Sequence, residues 1–465
     1  MKNSNTKRYL VTYADGSISA STASEILGVS QSTCKDGVAF MATEATPDKD
    51  DVLHFESLGI SSIELTPAQA EELSHATEIL AVEEDYEMYA LDESYTDEKQ
   101  FKELFVDSEA AFDFEKQEDN TYEQGYDQAL LDMFLSILKN RKNSNPDAIG
   151  ANISPIIPPR FRFDRIIPSI PRQPVPWNIA LVKAPQAWAR GINGTGVKIA
   201  VLDSGVSSHP DLIISGGVSF VPGESTFHDV NGHGTHVAGT IAARNNFIGV
   251  VGVAPNAMLY AVKVLQHNPS TGRASGSSSW IIAGMEWCIH NGIKVANMSL
   301  GGTNAPSVAY ANAVKRCQDN GVTVVVASGN SFGTSFPWVC SPANSVINNQ
   351  LNASPIAVGA VNSSCQIAAF SSRGGQSSPW NQVTCVAPGV SVNSTHLNGT
   401  YRSMNGTSMA CPHVAGLAAL IIQRYPGITP ANVKRRISLT SVDLGPSGQD
   451  MTFGYGLINC DLATR

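Results

Sequence analysis

The chain has 465 residues, of which 42% are hydrophobic and 15% are charged, and its formal net charge is −10. This length exceeds what one hydrophobic core supports, so we expect two or more domains. No apolar run approaches the roughly 20 residues of a membrane span, and the basic residues are scattered. We therefore expect neither a membrane span nor nucleic-acid binding. The first residues, MKNSNTKRYLVTYADG, lack the apolar core of a signal peptide, which predicts a cytoplasmic protein or export by an unconventional route.

The charge is divided unequally along the chain. Residues 1–150 hold 31 acidic and 11 basic residues, for a net charge of −20, whereas residues 151–465 hold 10 and 20, for +10. Opposite fields attract, so this division favours an N-terminal part that docks on the rest of the chain. An acidic solubilising tail is the alternative.

Residues 7–90 are predicted to form a small α+β unit. Residues 8–13 and 37–41 are rich in β-branched and aromatic residues, which favours strands. Thr66 followed by Pro67 and Gln69 predicts a helix start with a capping box. A last strand over 79–82 leads into the acidic segment EEDYEMYAL, residues 83–91.

The rest of the chain divides into an acidic segment, a connector and a second domain. Residues 92–150 are strongly acidic, and residues 151–176 form a Pro- and Arg-rich extended connector. From residue 177 onward, apolar runs alternate with helical segments, which is typical of a parallel α/β sheet. The predicted strands are 197–202, 259–265, 293–298 and 322–327.

The eight cysteines show no metal-binding spacing. They stand at 34, 288, 317, 340, 365, 385, 411 and 460, without a CxxC pair. We expect mostly buried free thiols, in keeping with a reducing compartment. A disulfide among Cys340, Cys365 and Cys385 is the alternative.

Polar groups follow three of the predicted strands. Asp203 follows the first in VLDSG, Ser299 follows the third in NMSLGG, and Asn330 follows the fourth in ASGN. Functional groups gather at the carboxyl ends of parallel strands, so we expect these residues at one edge of the sheet. His233 opens a helix in NGHGTHVAGT.

Ser408 lies in the segment NGTSMACPHVAG. Pro412 is tolerated in a first helical turn, and the apolar run from Val414 has helical spacing. Ser408 is therefore predicted at or just before a helix N-terminus. It would serve there as an N-cap or, if a base and an orienting acid lie nearby, as a nucleophile.

Attack by a serine hydroxyl requires a neutral imidazole, a carboxylate that fixes its tautomer, and donors for the oxyanion. The chain offers Asp203 to orient, His233 as general base and then acid, and Ser408 to attack. The Asn330 side chain and the Ser408 backbone N–H would bind the oxyanion.

The competing candidates fit less well. Asp211 follows a turn, His236 and His413 lie inside helices and are read as structural, and no base pairs with Cys411, which is read as packing.

In this order, VLDSG, NGHGTHVAGT, NMSLGG, ASGN and NGTSMA with PHVAG match the pattern of the subtilisin-like serine peptidases, or subtilases. The chain resembles that family from about residue 173 to the C-terminus. The resemblance implies an α/β fold with a parallel sheet flanked by helices, and a small α+β, ferredoxin-like prodomain that inhibits the enzyme. The implied domains are the prodomain, residues 1–91, the acidic insert and connector, 92–172, and the catalytic domain, 173–465.

The resemblance also implies how a peptide or protein substrate binds. The peptide would lie as a strand beside Ser299, Leu300 and Gly301, with Ala327, Ser328 and Gly329 as the opposite wall of the first specificity pocket. Small wall residues leave room for a large apolar side chain before the cleaved bond. The prodomain tail would lie in the same cleft, with residue 89, 90 or 91 nearest Ser408. Self-cleavage there would be followed by removal of the connector around 150–172.

A structural calcium ion is implied as well. Its ligands would be Gln173, Asp211, Asn246 and the carbonyls of Ile248 and Val250, with the Arg244 carbonyl as a further candidate. One carboxylate with amides and carbonyls suits Ca²⁺ chemically. An ordinary Asn-rich turn is the alternative.

These features together predict a monomeric serine endopeptidase made as a self-inhibited zymogen and acting through an acyl-enzyme. A peptide ligase or cyclase on the same fold would use the same residues, and product mass would separate the two. A peptide-binding pseudopeptidase is disfavoured because every candidate catalytic residue is present.

Overall fold

The computed structural model describes residues 6–43, 46–91, 173–302, 305–334, 337–346, 354–375 and 382–465. The predicted acidic insert and connector, residues 92–172, lie outside the described residues. The strands are β1 Lys7–Tyr13, β2 Cys34–Asp36, β3 Val52–Phe55, β4 Ile60–Leu65, β5 Ile79–Glu84, β6 Glu87–Ala90, β7 Lys198–Asp203, β8 Ile214–Ser219, β9 Met258–Lys263, β10 Gln266–His267, β11 Ala274–Ser277, β12 Val295–Met298, β13 Leu300–Gly301, β14 Thr323–Ala327, β15 Ile356–Val361, β16 Cys385–Pro388, β17 Val392–Thr395 and β18 Tyr401–Met404.

The helices lie between these strands and after the last of them. They are α1 Ala20–Leu27, α2 Gly37–Met41, α3 Pro67–Ser74, α4 Trp177–Leu181, α5 Ala184–Trp188, α6 His233–Ala242, α7 Ser278–His290, α8 Val308–Asp319, α9 Thr407–Arg424, α10 Pro430–Thr440 and α11 Cys460–Ala463. Within the described ranges, none of them has the length and apolar character needed to cross a membrane.

The N-terminal unit is a five-stranded sheet with helices. Its strand order is β2-β3-β4-β1-β5, and β1 lies antiparallel to both β4 and β5. Apart from the added edge strand β2 and the short α2, the order of elements is β-α-β-β-α-β, as in ferredoxin-like folds. Helix α3 begins with the predicted capping box, since the Thr66 hydroxyl and the Gln69 side chain each bind the other's backbone N–H.

The strand predicted over residues 37–41 is wrong, because the structure has helix α2 there. The Asp36 carboxylate accepts a hydrogen bond from the backbone N–H of Ala39 at 2.9 Å, so an N-cap begins the helix. The apolar segment then packs Met41 into the core that the N-terminal unit shares with α7. Tertiary packing and the cap override the local β preference.

A seven-stranded sheet forms the centre of the C-terminal part. Its order is β16-β15-β14-β12-β7-β9-β8, and every neighbouring pair is parallel. The four strands predicted from the sequence are β7, β9, β12 and β14, and they lie side by side. Successive residues of β7 face opposite sides, with Ile199 and Val201 in one core and Ala200 and Leu202 in the other. Burial on both faces explains why these strands read as continuous apolar runs.

Helices cover both faces of this sheet. Helices α6 and α9 pack against each other and against one face, whereas α7 and α8 belong to the core on the other face. The N-terminal unit adds Leu10 and Phe55 to that second core and contacts α7 and α8. Two layers of helices therefore enclose the seven-stranded sheet. The N-terminal sheet lies outside the layer formed by α7 and α8.

A small antiparallel sheet joins the two parts of the molecule. Its order is β10-β11-β6-β13, so strand β6 of the N-terminal segment lies between two strands of the C-terminal part. Leu300 pairs with Ala90, and Gly301 pairs with Tyr89. The pairing with β13 therefore brings the end of the N-terminal segment next to Ser408.

The cysteines, all of which lie in described segments, are free thiols. Six are buried, and Cys34 and Cys365 are half-buried. The expectation of mostly buried free thiols agrees with this arrangement.

Candidate active site

Asp203 and His233 form a buried pair. Asp203 is the last residue of β7, and His233 is the first residue of α6. The His233 Nδ1 atom lies 2.7 Å from Oδ1 of Asp203, and both side chains are fully buried. The same oxygen accepts the backbone N–H of Ser204 at 2.7 Å. A carboxylate in this position holds the imidazole in the tautomer with the proton on Nδ1, which leaves Nε2 to accept one.

A second buried carboxylate, Asp229, organises the turn that carries His233. It accepts backbone N–H groups from Asn231, Gly232 and Thr235, each at 2.9 Å, and the Thr235 hydroxyl at 2.7 Å. It also accepts the Ser204 hydroxyl at 3.0 Å, which links the turn to the residue after Asp203. Within the helix, Asp229 accepts the free N–H of Thr235, whereas the N–H groups of His233 and Gly234 donate to Asn231 Oδ1 at 3.2 Å and Ser204 Oγ at 3.0 Å. Together these bonds fix the position of His233.

Helix α9 places Ser408 in its first turn. The helix begins at Thr407, and the capping residue is Gly406, with φ 147° and no side-chain cap. Ser408 is therefore not the N-cap, and Pro412 lies inside the helix. The Ser408 hydroxyl donates to the Ser299 carbonyl at 2.8 Å.

The Asp203–His233 pair and Ser408 lie in one region of the molecule. Helices α6 and α9 pack against each other. Ser299, whose carbonyl accepts the Ser408 hydroxyl, directly follows β12, and β12 pairs with β7, which ends at Asp203.

Asn330 has one buried amide group that is free to donate. Its Oδ1 atom accepts the backbone N–H of Thr407 at 2.9 Å and the Thr407 hydroxyl at 2.8 Å. Because a backbone N–H can only donate, these bonds fix which amide atom is the oxygen. The Nδ2 atom is buried and has no hydrogen-bond partner among the described residues. It is suited to bind negative charge that develops beside Ser408.

The N-terminal segment lies across Ser408 as an extended peptide. The Leu91 carbonyl accepts the backbone N–H of Ser408 at 3.2 Å, and the Leu91 N–H donates to the Ser299 carbonyl at 3.3 Å. Together with the β6–β13 pairing, these bonds align the segment with Ser299, Leu300 and Gly301. Residues 89, 90 and 91 were the candidates for the position nearest Ser408, and Leu91 is the one that forms a hydrogen bond with it.

Gly329 and the residues before it form a second wall. Ala327 and Ser328, both fully buried, lead from the end of β14 into Gly329, whose φ of 116° favours glycine. The Ser328 carbonyl accepts the backbone N–H of Cys340 at 3.0 Å, and Gly329 N–H donates to the Thr407 hydroxyl at 3.2 Å. This wall is therefore tied both to the serine-bearing helix and to residue 340.

Two acidic residues before β6 cap helices of the C-terminal part. The Glu83 carboxylate accepts the N–H groups of Ala309 at 2.7 Å and Val308 at 3.1 Å, at the start of α8. The Asp85 carboxylate accepts the N–H of Ser279 at 2.9 Å, at the start of α7. Negative charge at a helix N-terminus is stabilising, so both residues hold the N-terminal unit in place.

Glu286 is a buried acid at the same interface. Its Oε1 atom accepts the Ser57 N–H at 2.6 Å and lies 3.8 Å from His290 Nε2. Burial raises the pKa of Glu286 to about 7, and the negative charges of Asp36 and Glu56 add to this shift.

The residues predicted to bind calcium come together. Gln173 Oε1 accepts the N–H of Asn246 at 2.7 Å, while Nε2 donates to the carbonyls of Ile248 at 2.8 Å and Val250 at 2.5 Å. Asp211 is buried and accepts the Val250 N–H at 3.0 Å. Its Oδ1 atom has no hydrogen-bond partner among the described residues, and burial raises the pKa of Asp211. Arg244 touches this cluster through its N–H, which donates to the Asp211 carbonyl at 2.9 Å.

The remaining candidates have structural surroundings. His236 Nε2 lies 2.9 Å from the carbonyls of Val392 and Arg402, and burial lowers its pKa to about 3. His413 binds Met409 and Asn178 at 2.8 Å each, and burial lowers its pKa to about 4. Both histidines stay neutral at physiological pH. Cys411 is fully buried in the core, as expected for packing.

A seven-stranded parallel sheet that carries a buried Asp–His pair, with a peptide strand held across a serine at a helix start, has the parts that a serine peptidase requires. Comparison with known proteins narrows the class. The model of the subtilase family, Peptidase_S8, matches residues 194–456, and the chain belongs to that family.

Its similarity to curated relatives extends over 63% of the chain. The chain is 48% identical to "Subtilisin Savinase" of Lederbergia lenta over 293 residues, which is 63% of this chain and 100% of that protein. It is 49% identical to "Alkaline protease" of Alkalihalobacillus alcalophilus over 293 residues, covering 63% and 70% of the two chains. It is 50% identical to "Subtilisin E" of Bacillus subtilis strain 168 over 296 residues, covering 63% and 72%.

Proposed function

We propose that the chain is a self-inhibited zymogen that hydrolyses peptide bonds through an acyl-enzyme on Ser408. The observation that carries the proposal is the Leu91 carbonyl, which accepts the Ser408 N–H at 3.2 Å in an extended peptide. A nucleophile on residue 408 would attack a peptide carbonyl held at this point.

Each proposed catalytic group has a defined role. His233 Nε2 takes the proton as Ser408 Oγ attacks the carbonyl carbon, and Asp203 stabilises the imidazolium that forms. The Ser408 N–H and Asn330 Nδ2 bind the oxyanion. The imidazolium then gives its proton to the departing amine, which leaves an ester on Ser408. Water, activated by the same imidazole, hydrolyses this ester. Attack also requires the Ser408 hydroxyl to leave the Ser299 carbonyl, to which it now donates.

The N-terminal unit, residues 1–91, is the proposed inhibitor. Its tail fills the peptide-binding strand position between β11 and β13, and Glu83 and Asp85 fix it to two helix starts. A product-like strand held by this many contacts excludes other peptides. The bond that follows the Leu91 carbonyl is Leu91–Asp92, so self-cleavage is proposed at that bond. Removal of residues up to about 172 would complete the catalytic domain, 173–465.

The processed enzyme is proposed to act on peptide or protein substrates with a large apolar residue before the cleaved bond. Leu91 occupies that position here and packs against the core of the C-terminal part. Backbone pairing along Leu300 and Gly301 would accept many sequences, and the side-chain pocket would set the preference.

A structural Ca²⁺ ion is proposed at the cluster of Gln173, Asp211 and Asn246 with the carbonyls of Ile248 and Val250. The donor set fits, because the buried Oδ1 atom of Asp211 has no hydrogen-bond partner among the described residues, and hard cations prefer a carboxylate together with amide and carbonyl oxygens. For the Gln173 oxygen to bind the ion, the amide would have to give up the N–H groups of Asn246 and Phe247, which that oxygen accepts at 2.7 and 3.0 Å. The ion would neutralise Asp211 and tie residue 173 to the loop at 246–250.

Expression of the full chain with Ser408→Ala tests the proposal. Wild type is expected to produce a fragment that begins at Asp92 and then a mature form that begins near residue 173, as read by N-terminal sequencing. The Ser408→Ala chain is expected to stay intact, and the control Ser403→Ala, an exposed serine of β18, is expected to process normally. Identical new termini in Ser408→Ala and wild type would contradict self-cleavage.

A further inference from the structure

Lys263 is a lysine whose side chain is fully buried at the end of β9. Its Nζ atom donates to the Ser204 carbonyl at 2.7 Å and to the His228 carbonyl at 3.3 Å, and it lies 3.1 Å from Oε2 of Glu224. An ammonium group has three protons to donate, so each of them has a partner here. Burying a charge is costly unless it is hydrogen-bonded and paired, and Lys263 meets both conditions.

The two carbonyl groups belong to the segments that carry the buried acids of the site. Ser204 directly follows Asp203, and His228 directly precedes Asp229. Asp203 is also the register partner of Lys263 in the parallel pairing of β7 with β9. The ammonium group therefore holds the backbone next to each of the two acids.

Ser204 connects Lys263 with the catalytic histidine. Its hydroxyl donates to Oδ1 of Asp229 at 3.0 Å and accepts the backbone N–H of Gly234 at 3.0 Å. Gly234 directly follows His233 in the first turn of α6. A single residue thus separates the ammonium group from the turn that carries His233.

The charges around His233 have both signs. Asp203 binds its ring and Asp229 holds its turn, so two negative charges favour the imidazolium. The other titratable or charged groups near the turn are His236 in the same helix, His267 on Asn231, His396 beside Gly232, Arg402 near His396, and Glu224 beside Lys263. Burial lowers the pKa of His236 to about 3 and also lowers the pKa of His396, so both rings are uncharged at neutral pH. Arg402 is exposed, which leaves its charge screened by water and salt, whereas the charge of Lys263 is buried.

We propose that Lys263 is a positioning residue of the reaction, which fixes the turn of His233 and, through its positive charge, keeps the imidazole neutral so that it can accept the Ser408 proton. This proposal rests on the proposed peptidase function. The two carboxylates favour an imidazolium, which cannot act as a base, and the ammonium group opposes them. A unit charge about 10 Å away, at an effective dielectric constant of about 20, shifts a proton equilibrium by about one pH unit. Without Lys263, His233 should therefore take up its proton at a higher pH.

The test follows kcat/KM of the processed enzyme as a function of pH. The acid limb of this profile reports protonation of the general base in the free enzyme. In Lys263→Met, the midpoint of the acid limb is expected about one pH unit above that of wild type, because the lost charge opposed protonation. Lys263→Arg keeps the charge and is expected to keep the wild-type midpoint, even where kcat/KM itself is lower.

Lys198→Met is the matched control. Lys198 donates to the Asn291 carbonyl at 3.0 Å and lies at the opposite end of β7 from Asp203. Five residues of strand place it about 16 Å away, and it is partly exposed, so the midpoint should move by less than about 0.3 pH unit.

Glu224→Gln gives the opposite perturbation. It removes a negative charge but keeps an oxygen for the Lys263 ammonium group, so the midpoint is expected to fall. The shift should be about 0.3–0.5 pH unit, because the Glu224 side chain is 30% exposed and its charge is partly screened. This variant keeps the proposal testable if Lys263→Met does not fold.

A fall in kcat/KM at every pH with an unmoved midpoint in Lys263→Met would show a purely structural lysine and overturn the proposal. An unmoved midpoint in Glu224→Gln would do the same if Lys263→Met does not fold, and so would equal shifts in Lys263→Met and Lys198→Met. If the wild-type enzyme hydrolyses no peptide, or if His233→Ala retains wild-type activity, the proposed function fails instead.

Discussion

The contact between Glu83 and the start of α8 gives a quantitative prediction for the proposed inhibition by the N-terminal unit. The carboxylate accepts two backbone N–H groups, at 2.7 and 3.1 Å, and the Ser307 hydroxyl at 3.3 Å. Hydrogen bonds to a charged group each contribute about 1.5–3 kcal/mol when both partners are desolvated. Here Val308 is 37% exposed, so water can partly replace the lost acceptor.

Glu83→Ala should therefore weaken binding of the prodomain by about 2 kcal/mol, which corresponds to about a thirtyfold higher inhibition constant. The assay adds a separate polypeptide of residues 1–91 to the processed enzyme and follows hydrolysis of a chromogenic peptide. Full inhibition at saturation would show that the variant still folds and binds in the same cleft.

Glu84→Ala is the matched control. Glu84 pairs with Lys7 at 2.7 Å within the N-terminal unit, and both side chains are about half exposed. Exposed pairs of this kind contribute about 0–1 kcal/mol to folding, so inhibition should change less than twofold. Equal effects of Glu83→Ala and Glu84→Ala would refute the view that the carboxylate at the helix start anchors the prodomain.

Three further predictions concern the interface acid, the oxyanion donor and the metal. The pKa of Glu286 is about 7 in the complex and should fall once the prodomain leaves and the carboxyl is hydrated, so binding takes up a proton. Inhibition should weaken by at most about tenfold per pH unit as the pH rises towards about 7 and should level off above it, and Glu286→Gln should abolish this dependence. Asn330→Ala should lower kcat by about 10²–10³ with little change in KM, because this is the loss of kcat established for the corresponding oxyanion donor in subtilisin. A change confined to KM would contradict the role of Asn330 as an oxyanion donor. Chelation of calcium should lower the Tm of the processed wild-type enzyme, and the Tm of Asp211→Asn should respond much less; equal responses would place the ion elsewhere.

The positions of the central strands could be predicted from the sequence because each strand is buried on both faces. Runs such as that over 322–327 contain β-branched residues at consecutive positions, and a parallel sheet requires this composition. The residues at the ends of these strands were also recognisable, since Asp203, Ser299 and Asn330 follow them in the sequence. The structure places Asp203 against His233, and Ser408 beside Ser299.

Contacts between distant segments could not be predicted in the same way. Glu83 caps a helix that begins more than 200 residues later, and the segment EEDY shows only that the region is acidic. Cys340 reaches Gly301 and Gly329 through a loop whose sequence has no regular period. The helix at 37–41 was missed because its start depends on the single cap Asp36, against the β preference of Val38 and Phe40.

Labelling of the processed enzyme with a fluorophosphonate tests the central claim most directly. Attack by an activated serine oxygen on phosphorus expels fluoride and leaves one phosphonyl group on that oxygen. We predict one adduct per chain, located at Ser408 by peptide mass mapping, with loss of activity in proportion to labelling. Labelling should be slowed strongly by His233→Ala and by added prodomain. A stoichiometric adduct on another residue, or full peptidase activity in a chain labelled completely at Ser408, would contradict the account.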